Sequence, residues 1–149
     1  MSFDNAYVRA FAAARVARLA TARADGTPHL VPIVFALDDE RLVTCVDHKP
    51  KRSQALRRLA NIEENPRVSA LVDHYSDEWE ELWWVRLDGH AVVVDSATEE
   101  GTTAITALAR KYPQYREHRP HGAVIIVTGL RWHHWSAQTG AVSPRSPLA

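Results

Sequence analysis

The chain has 149 residues, 46% of them hydrophobic and 24% charged, with 18 basic and 18 acidic side chains and no net charge. This is a single-domain length with material for one core, and its balanced charge excludes the global field that draws a protein to nucleic acid. No apolar run approaches ~18 residues, which excludes a membrane-spanning helix, and the lone Cys45 excludes an internal disulfide.

A single thiol in an apolar run suits a reducing cytosol. The N-terminus lacks the apolar stretch of a signal peptide, so a cytoplasmic location is expected. Asp4 to Val16 reads as a short helix, with Asp4 or Asn5 as its cap. Tyr7, Ala10, Phe11 and Ala14 recur on one face of it. Val16–Ala22 and His29–Leu37 read as strands, joined by a turn in which Asp25-Gly26 is a strong hairpin signal. Pro32 falls inside the second strand and cannot donate to a ladder, so it marks an edge or a bulge. Two readings stay open for the backbone this frees: a plain edge strand, or a flat ligand lying against Pro32 to Phe35.

Leu42 to Val46 is a third strand. Lys49, Lys51 and Arg52 follow, just where a helix from Lys51 to Glu64 begins. The first turn of a helix carries partial positive charge, so each cation there costs roughly 0.3–1 kcal/mol. Glu63 and Glu64 sit at the other end, where the dipole favours cations. This inverted order makes sense if an anion, most often a phosphate, docks at the N-terminus; the alternative is a solvated basic turn. Ala55, Leu56, Leu59 and Ile62 form the apolar stripe of the helix, with Arg57 and Arg58 off it, and Pro66 ends it.

Val68 to Val72 is a compact apolar strand, and His74 to Glu81 an acidic loop holding Trp79. Leu82 to Asp95 is the longest strand. Trp83, Val85, Leu87, Gly89, Ala91 and Val93 point to the core; Trp84, Arg86, Asp88 and His90 point the other way. That second set is either solvated or lines a subunit interface or a pocket. Ser96 to Glu100 starts a helix with acids in its first turn, running to Tyr112 and stopping at Pro113. Ala123 to Trp135 is the final strand. Gln138 to Ala149, rich in Ser, Pro and small residues, reads as a disordered tail, so residues 1–137 form the domain.

There is no Gly-rich phosphate loop, Ser nucleophile elbow or Cys-pair metal site in the sequence. His133 and His134 are adjacent on a strand and face opposite ways, so they cannot hold one metal together. With no obvious nucleophile or metal, difficult chemistry belongs to an organic cofactor.

Three stretches carry a family likeness: Asp47-His48-Lys49-Pro50-Lys51-Arg52, then Asn65-Pro66-Arg67-Val68-Ser69-Ala70-Leu71-Val72-Asp73-His74-Tyr75, and the paired Trp83-Trp84. In this order of elements, from Val8 to Trp135, the chain resembles the pyridoxamine-phosphate-oxidase-like split β-barrel proteins, most closely the class that uses the deazaflavin coenzyme F420. The resemblance implies a mainly β fold with flanking helices, a six-stranded antiparallel split β-barrel. It also implies a homodimer with the cofactor in a groove between the chains. The ring is expected on the backbone of Pro32, Ile33 and Val34, and the phosphate on Lys49, Lys51 and Arg52, with Arg58 as a further candidate. The implied activity is that of an oxidoreductase passing hydride between F420 and a small organic substrate. Trp79, Trp84 or Trp132 would wall the substrate side, and His74 or Tyr75 are candidate proton donors. FMN in the same fold is the alternative cofactor. A haem-binding module without turnover is a further alternative, with His48, His74 or His133 as axial ligand.

Overall fold

Seven antiparallel strands form one sheet in a computed structural model that describes residues 6–46 and 52–138, with α2 side chains described from Arg57 onward. In chain order the elements are α1 (Ala6–Ala13), β1 (Ala17–Ala22), β2 (Pro28–Ile33), β3 (Ala36–Asp38), β4 (Arg41–Cys45) and α2 (Arg52–Glu64). Then come β5 (Arg67–His74), a 3-10 turn (Trp79–Glu81), β6 (Trp83–Val94), α3 (Glu99–Lys111), α4 (Pro113–Glu117) and β7 (Val124–Ser136). The strand order across the sheet is β2-β1-β5-β6-β7-β4-β3.

The expected six strands are seven, because the strand expected over His29–Leu37 is two. β2 and β3 sit at opposite edges of the sheet, with only Val34 and Phe35 between them. Three virtual bonds span at most about 11 Å, so the sheet has to curl until its two edges meet corner to corner. That curl makes the split barrel, and no ladder closes it among the described residues.

The alternation read in β6 holds: Val85, Leu87, Gly89 and Ala91 are buried, while Arg86 and Asp88 are half-buried and His90 is exposed. Val85, Leu87 and Ala91 pack with Phe11, Leu19, Ile33, Phe35 and Leu42 in the main core. A second cluster, with Val43, Ile105, Leu108 and Ile126, fills the space under α3. β6 and β7 slip register between Asp88 and His90, opposite Gly129 at φ 63°. Gly89 faces this bulge. A Cβ there would lie 2.6 Å from Val127 Cγ1 and 2.8 Å from the Thr128 carbonyl, so glycine is needed.

Helix ends follow local chemistry. α1 stops at Ala13, short of the expected Val16, and the Ala14 N–H turns back to the Phe11 carbonyl. α2 closes with Asn65 N–H on the Asn61 carbonyl at 2.7 Å, just before Pro66. Thr98 caps α3, its hydroxyl accepting from Gly101 N–H at 3.0 Å. The caps expected at Asp4 and Asn5, and the tail from residue 139 on, lie outside the described residues. No described helix is long and apolar enough to cross a membrane.

Candidate functional site

The end of the barrel under α2 gathers a polar group inside the fold. Register pairs Thr21 with His29. Both share the inward face with the core residues Leu19, Val31 and Ile33. α2 crosses this end, and Asn61, 1% exposed, donates from Nδ2 to Thr21 Oγ1 at 3.0 Å. One turn earlier on the helix stand Arg57 and Arg58. Burial, and then the charges of Arg58, Arg57 and Arg23, hold His29 below the usual histidine range, so it is neutral at neutral pH. Burial likewise pushes the Arg58 guanidinium down.

Arg58 Nε and His29 Nδ1 are both buried with no hydrogen-bond partner among the described residues. Unpaired buried polar atoms are uncommon, and a buried cation without an anion is costly. Half-buried and unpaired at Nε among the described residues, Arg58 is the group at this end suited to an anion. A guanidinium takes up carboxylate or phosphate oxygens through charge-assisted bonds, so these residues fit the phosphate of a cofactor.

Of the expected phosphate ligands, Lys49 and Lys51 lie outside the described residues and Arg52 is the first residue of α2. His48, a candidate haem ligand, is likewise outside them. Arg58 is inside the barrel end, joined there by His29, which the sequence reading passed over. Its signal was parity: His29 is in step with Val31 and Ile33, and so had to point inward.

The ring-backing residues divide. Pro32 is exposed opposite Arg18, Ile33 is in the core, and Val34 leaves the strand. Thr44 Oγ1 donates to the Val34 carbonyl at 2.7 Å. The Tyr112 hydroxyl accepts from Phe35 N–H at 3.1 Å and reaches the Phe35 carbonyl at 3.0 Å. Much of the backbone released by the strand break is thus met from within the chain.

Trp84 stands on the outward sheet face between Asp73 and Trp135. Trp79 is 70% exposed. Trp132 instead turns to the core, edge-on to Phe11 at 5.2 Å, which removes it from the outward face because its strand parity is that of Leu130 and His134. The His74 ring stacks near Trp83 at 5.9 Å, and the Tyr75 hydroxyl donates to Asp77 at 3.0 Å. From Pro32 on β2 to Trp84 on β6 there are three strand spacings, about 14 Å.

His133 and His134 face opposite ways, as expected: His134 stacks on Tyr7 at 3.9 Å, and His133 Nε2 meets Asp88 Oδ2 at 3.2 Å. Asp88 is the centre of the outward face. Ser69 Oγ donates to it at 2.6 Å and Arg86 Nε at 3.0 Å. Burial alone would raise its carboxyl, but the Ser69 bond, the Arg86 charge and bond, and His133 outweigh that and hold it below the usual carboxylate range. Asp88 is therefore a standing anion that ties β5, β6 and β7 together. Among the described residues no group of three or more His, Cys, Asp or Glu could hold a metal.

A curled antiparallel sheet with flanking helices and a cationic end is the architecture of a split-barrel protein. Residues 3–136 match the pyridoxamine 5'-phosphate oxidase family, and the chain belongs to it. Similar solved structures include HutZ, the haem storage protein of Vibrio cholerae, at 17% identity over 87% of this chain and 91% of that one, with a TM-score of 0.67. An FAD-binding protein of Mesorhizobium loti shares 20% identity over 86% of this chain and 90% of that one, with a TM-score of 0.64. A conserved hypothetical protein of Mycobacterium tuberculosis shares 22% over 98% and 92%, with a TM-score of 0.66. At such identities the likeness is one of fold. No curated protein matches the sequence.

Proposed function

We propose that this protein is an oxidoreductase that holds a flavin-type cofactor and transfers hydride between it and a small organic substrate, with the deazaflavin F420 as cofactor and FMN as the alternative. The observation that carries this reading is the pair of buried nitrogens on Arg58 and His29 that have no hydrogen-bond partner among the described residues. An oxyanion there gains a charge-assisted bond from Arg58. Lys49, Lys51 and Arg52 complete the grip. His29, kept neutral, offers a hydrogen bond without adding charge. The cofactor supplies the redox chemistry when bound; the chain binds it, orients it and excludes water. Pro32, Ile33 and Val34 back the ring, Trp79 and Trp84 wall the substrate side, and His74 or Tyr75 holds the proton.

Pro32 and Trp84 of one chain are too far apart to flank one ring, which favours a groove shared by two copies. We place that homodimer interface on the outward face, where Leu30 and Val92 are 66% and 51% exposed. Light scattering of the loaded protein should give twice the chain mass; a monomer with cofactor bound would remove the shared groove. A single buried thiol, Cys45, fits a cytoplasmic setting.

The deciding experiment titrates F420, FMN and haem into the same preparation and repeats it with Arg58→Ala. F420 should bind saturably, and the variant should lose at least tenfold in affinity, about 1.4 kcal/mol, in line with one lost charged hydrogen bond. Saturable binding of FMN alone would move the assignment to the flavin. Equal affinity in a folded Arg58→Ala variant would end the phosphate role. A haem reading is favoured by one feature, His133 held by Asp88 in the way carboxylates orient ligating histidines. A Soret band lost in His133→Ala would select it.

A further inference from the structure

The outward face carries a second cationic feature, on the opposite side of the sheet from Arg58 and His29. The β1–β5 ladder ends at the Ala20–Ser69 pair. Past it the two strands part, and a recess of about 370 Å³ opens, with Ala20 and Ala22 on one wall and Arg67, His90 and Arg131 on the other. The outward-facing β1 residues beside it, Ala20 and Ala22, carry only methyl groups and leave it open. Arg67 lies opposite His90 across β5–β6, and Arg131 opposite Asp88 across β6–β7.

Asp88 borders the recess but is already committed to Ser69, Arg86 and His133. Arg67 and Arg131 have no ion-pair partner among the described residues. Arg86 cancels the charge of Asp88, so the recess is left with two uncompensated guanidinium charges. Their forks match a tetrahedral oxyanion, and two cations at one opening repel until an anion sits between them.

We propose that this recess binds a dianionic phosphate group, with Arg67 and Arg131 as its charged donors and His90 as a third polar contact. The small walls leave room for the group itself, and Pro28 at the rim gives an apolar seat for whatever carries it. Its charged donors point outward, whereas Arg58 and His29 lie on the inward side of the sheet, so the two anion contacts use different residues.

The test is calorimetric titration of the full chain with inorganic phosphate at fixed ionic strength, in wild type and in Arg58→Ala, Arg67→Ala, Arg131→Ala and Ala22→Leu. Saturable binding should persist in Arg58→Ala. Made on the Arg58→Ala background, each of the other three should weaken it at least tenfold, with unchanged thermal melts. Ala22→Leu fills the recess while leaving both arginines, so it separates a formed site from diffuse charge. Methyl phosphate in place of inorganic phosphate identifies the source: tighter binding of the ester means a phosphorylated small molecule, equal or weaker binding means free phosphate. The assignment is overturned by no saturable binding in wild type, by loss of all binding in Arg58→Ala, or by full binding in Ala22→Leu.

Discussion

Replacing Tyr112 with phenylalanine is expected to destabilise the protein by about 2–4 kcal/mol. The ring keeps its volume, so its packing beside Tyr115 at 6.0 Å stays. What goes is a hydroxyl, in a residue 8% exposed, with three partners. It accepts from Phe35 N–H at 3.1 Å and shares its one proton between the carbonyls of Phe35 and Arg15, each at 3.0 Å. Burial raises its pKa above the usual tyrosine value, which outweighs the opposing effects of the Phe35 bond and Arg15, so it stays protonated and able to donate. Without it, the N–H and carbonyl of a residue that is 0% exposed are left unpaired. Each such group costs about 1–3 kcal/mol. Urea unfolding of the two proteins measures the difference. A loss below about 0.5 kcal/mol would mean that the β2–β3 junction supports itself.

The same hydroxyl explains where the sequence was opaque. Pro32 announced an interruption, and the interruption is there, but nothing local says that the chain then crosses to the far edge of the sheet. The partner that makes the crossing tolerable is 77 residues away, and a one-residue contact at that separation leaves no pattern in either segment. Features set by near neighbours were legible. Asp25 Oδ1 accepts from Thr27 N–H at 2.9 Å around Gly26 at φ 90°, which is the hairpin that Asp-Gly promised. Pro66 ends α2, and the period-two pattern of β6 sorts its faces correctly.

The site was legible in halves. Arg58 stood out as a cation off the apolar stripe, yet its burial depends on which end of the barrel α2 covers. His29 becomes visible only when strand parity is combined with that placement. Asp88 was marked as facing outward, but its partners Ser69 and His133 lie on two other strands and follow from register alone. The choice of cofactor turns on the segment around Lys49 and Lys51 and on a second chain, and neither is carried by periodicity.

Beneath the same junction, replacing Lys111 with methionine is expected to stabilise the protein at pH 7 by about 1–2 kcal/mol. Lys111 Nζ is buried with no hydrogen-bond partner among the described residues and lies 3.8 Å from the Phe35 ring centroid. Burial, with Arg15 nearby, lowers its pKa from 10.5 to about 8. Below about pH 8 the folded chain carries a charged amine in a poor solvent, and that cost is present in full. Between about pH 8 and 10.5 the unfolded chain holds the proton that the folded chain has released, so wild-type stability rises with pH. At about 1.4 kcal/mol per pH unit the whole effect would be roughly 3 kcal/mol. The side chain is only half-buried, and screening brings that to about 2. The cation–π contact with Phe35, worth roughly 0.5–1 kcal/mol, is lost in the variant. Methionine keeps the length and a favourable sulfur contact with the ring. Urea unfolding at pH 7, 8, 9 and 10 should show the variant ahead at neutral pH and the gap closing as the medium becomes alkaline. A gap that stays constant across that range would mean the amine keeps its proton in the folded chain, and the Phe35 ring, rather than the empty surroundings, would then set its behaviour.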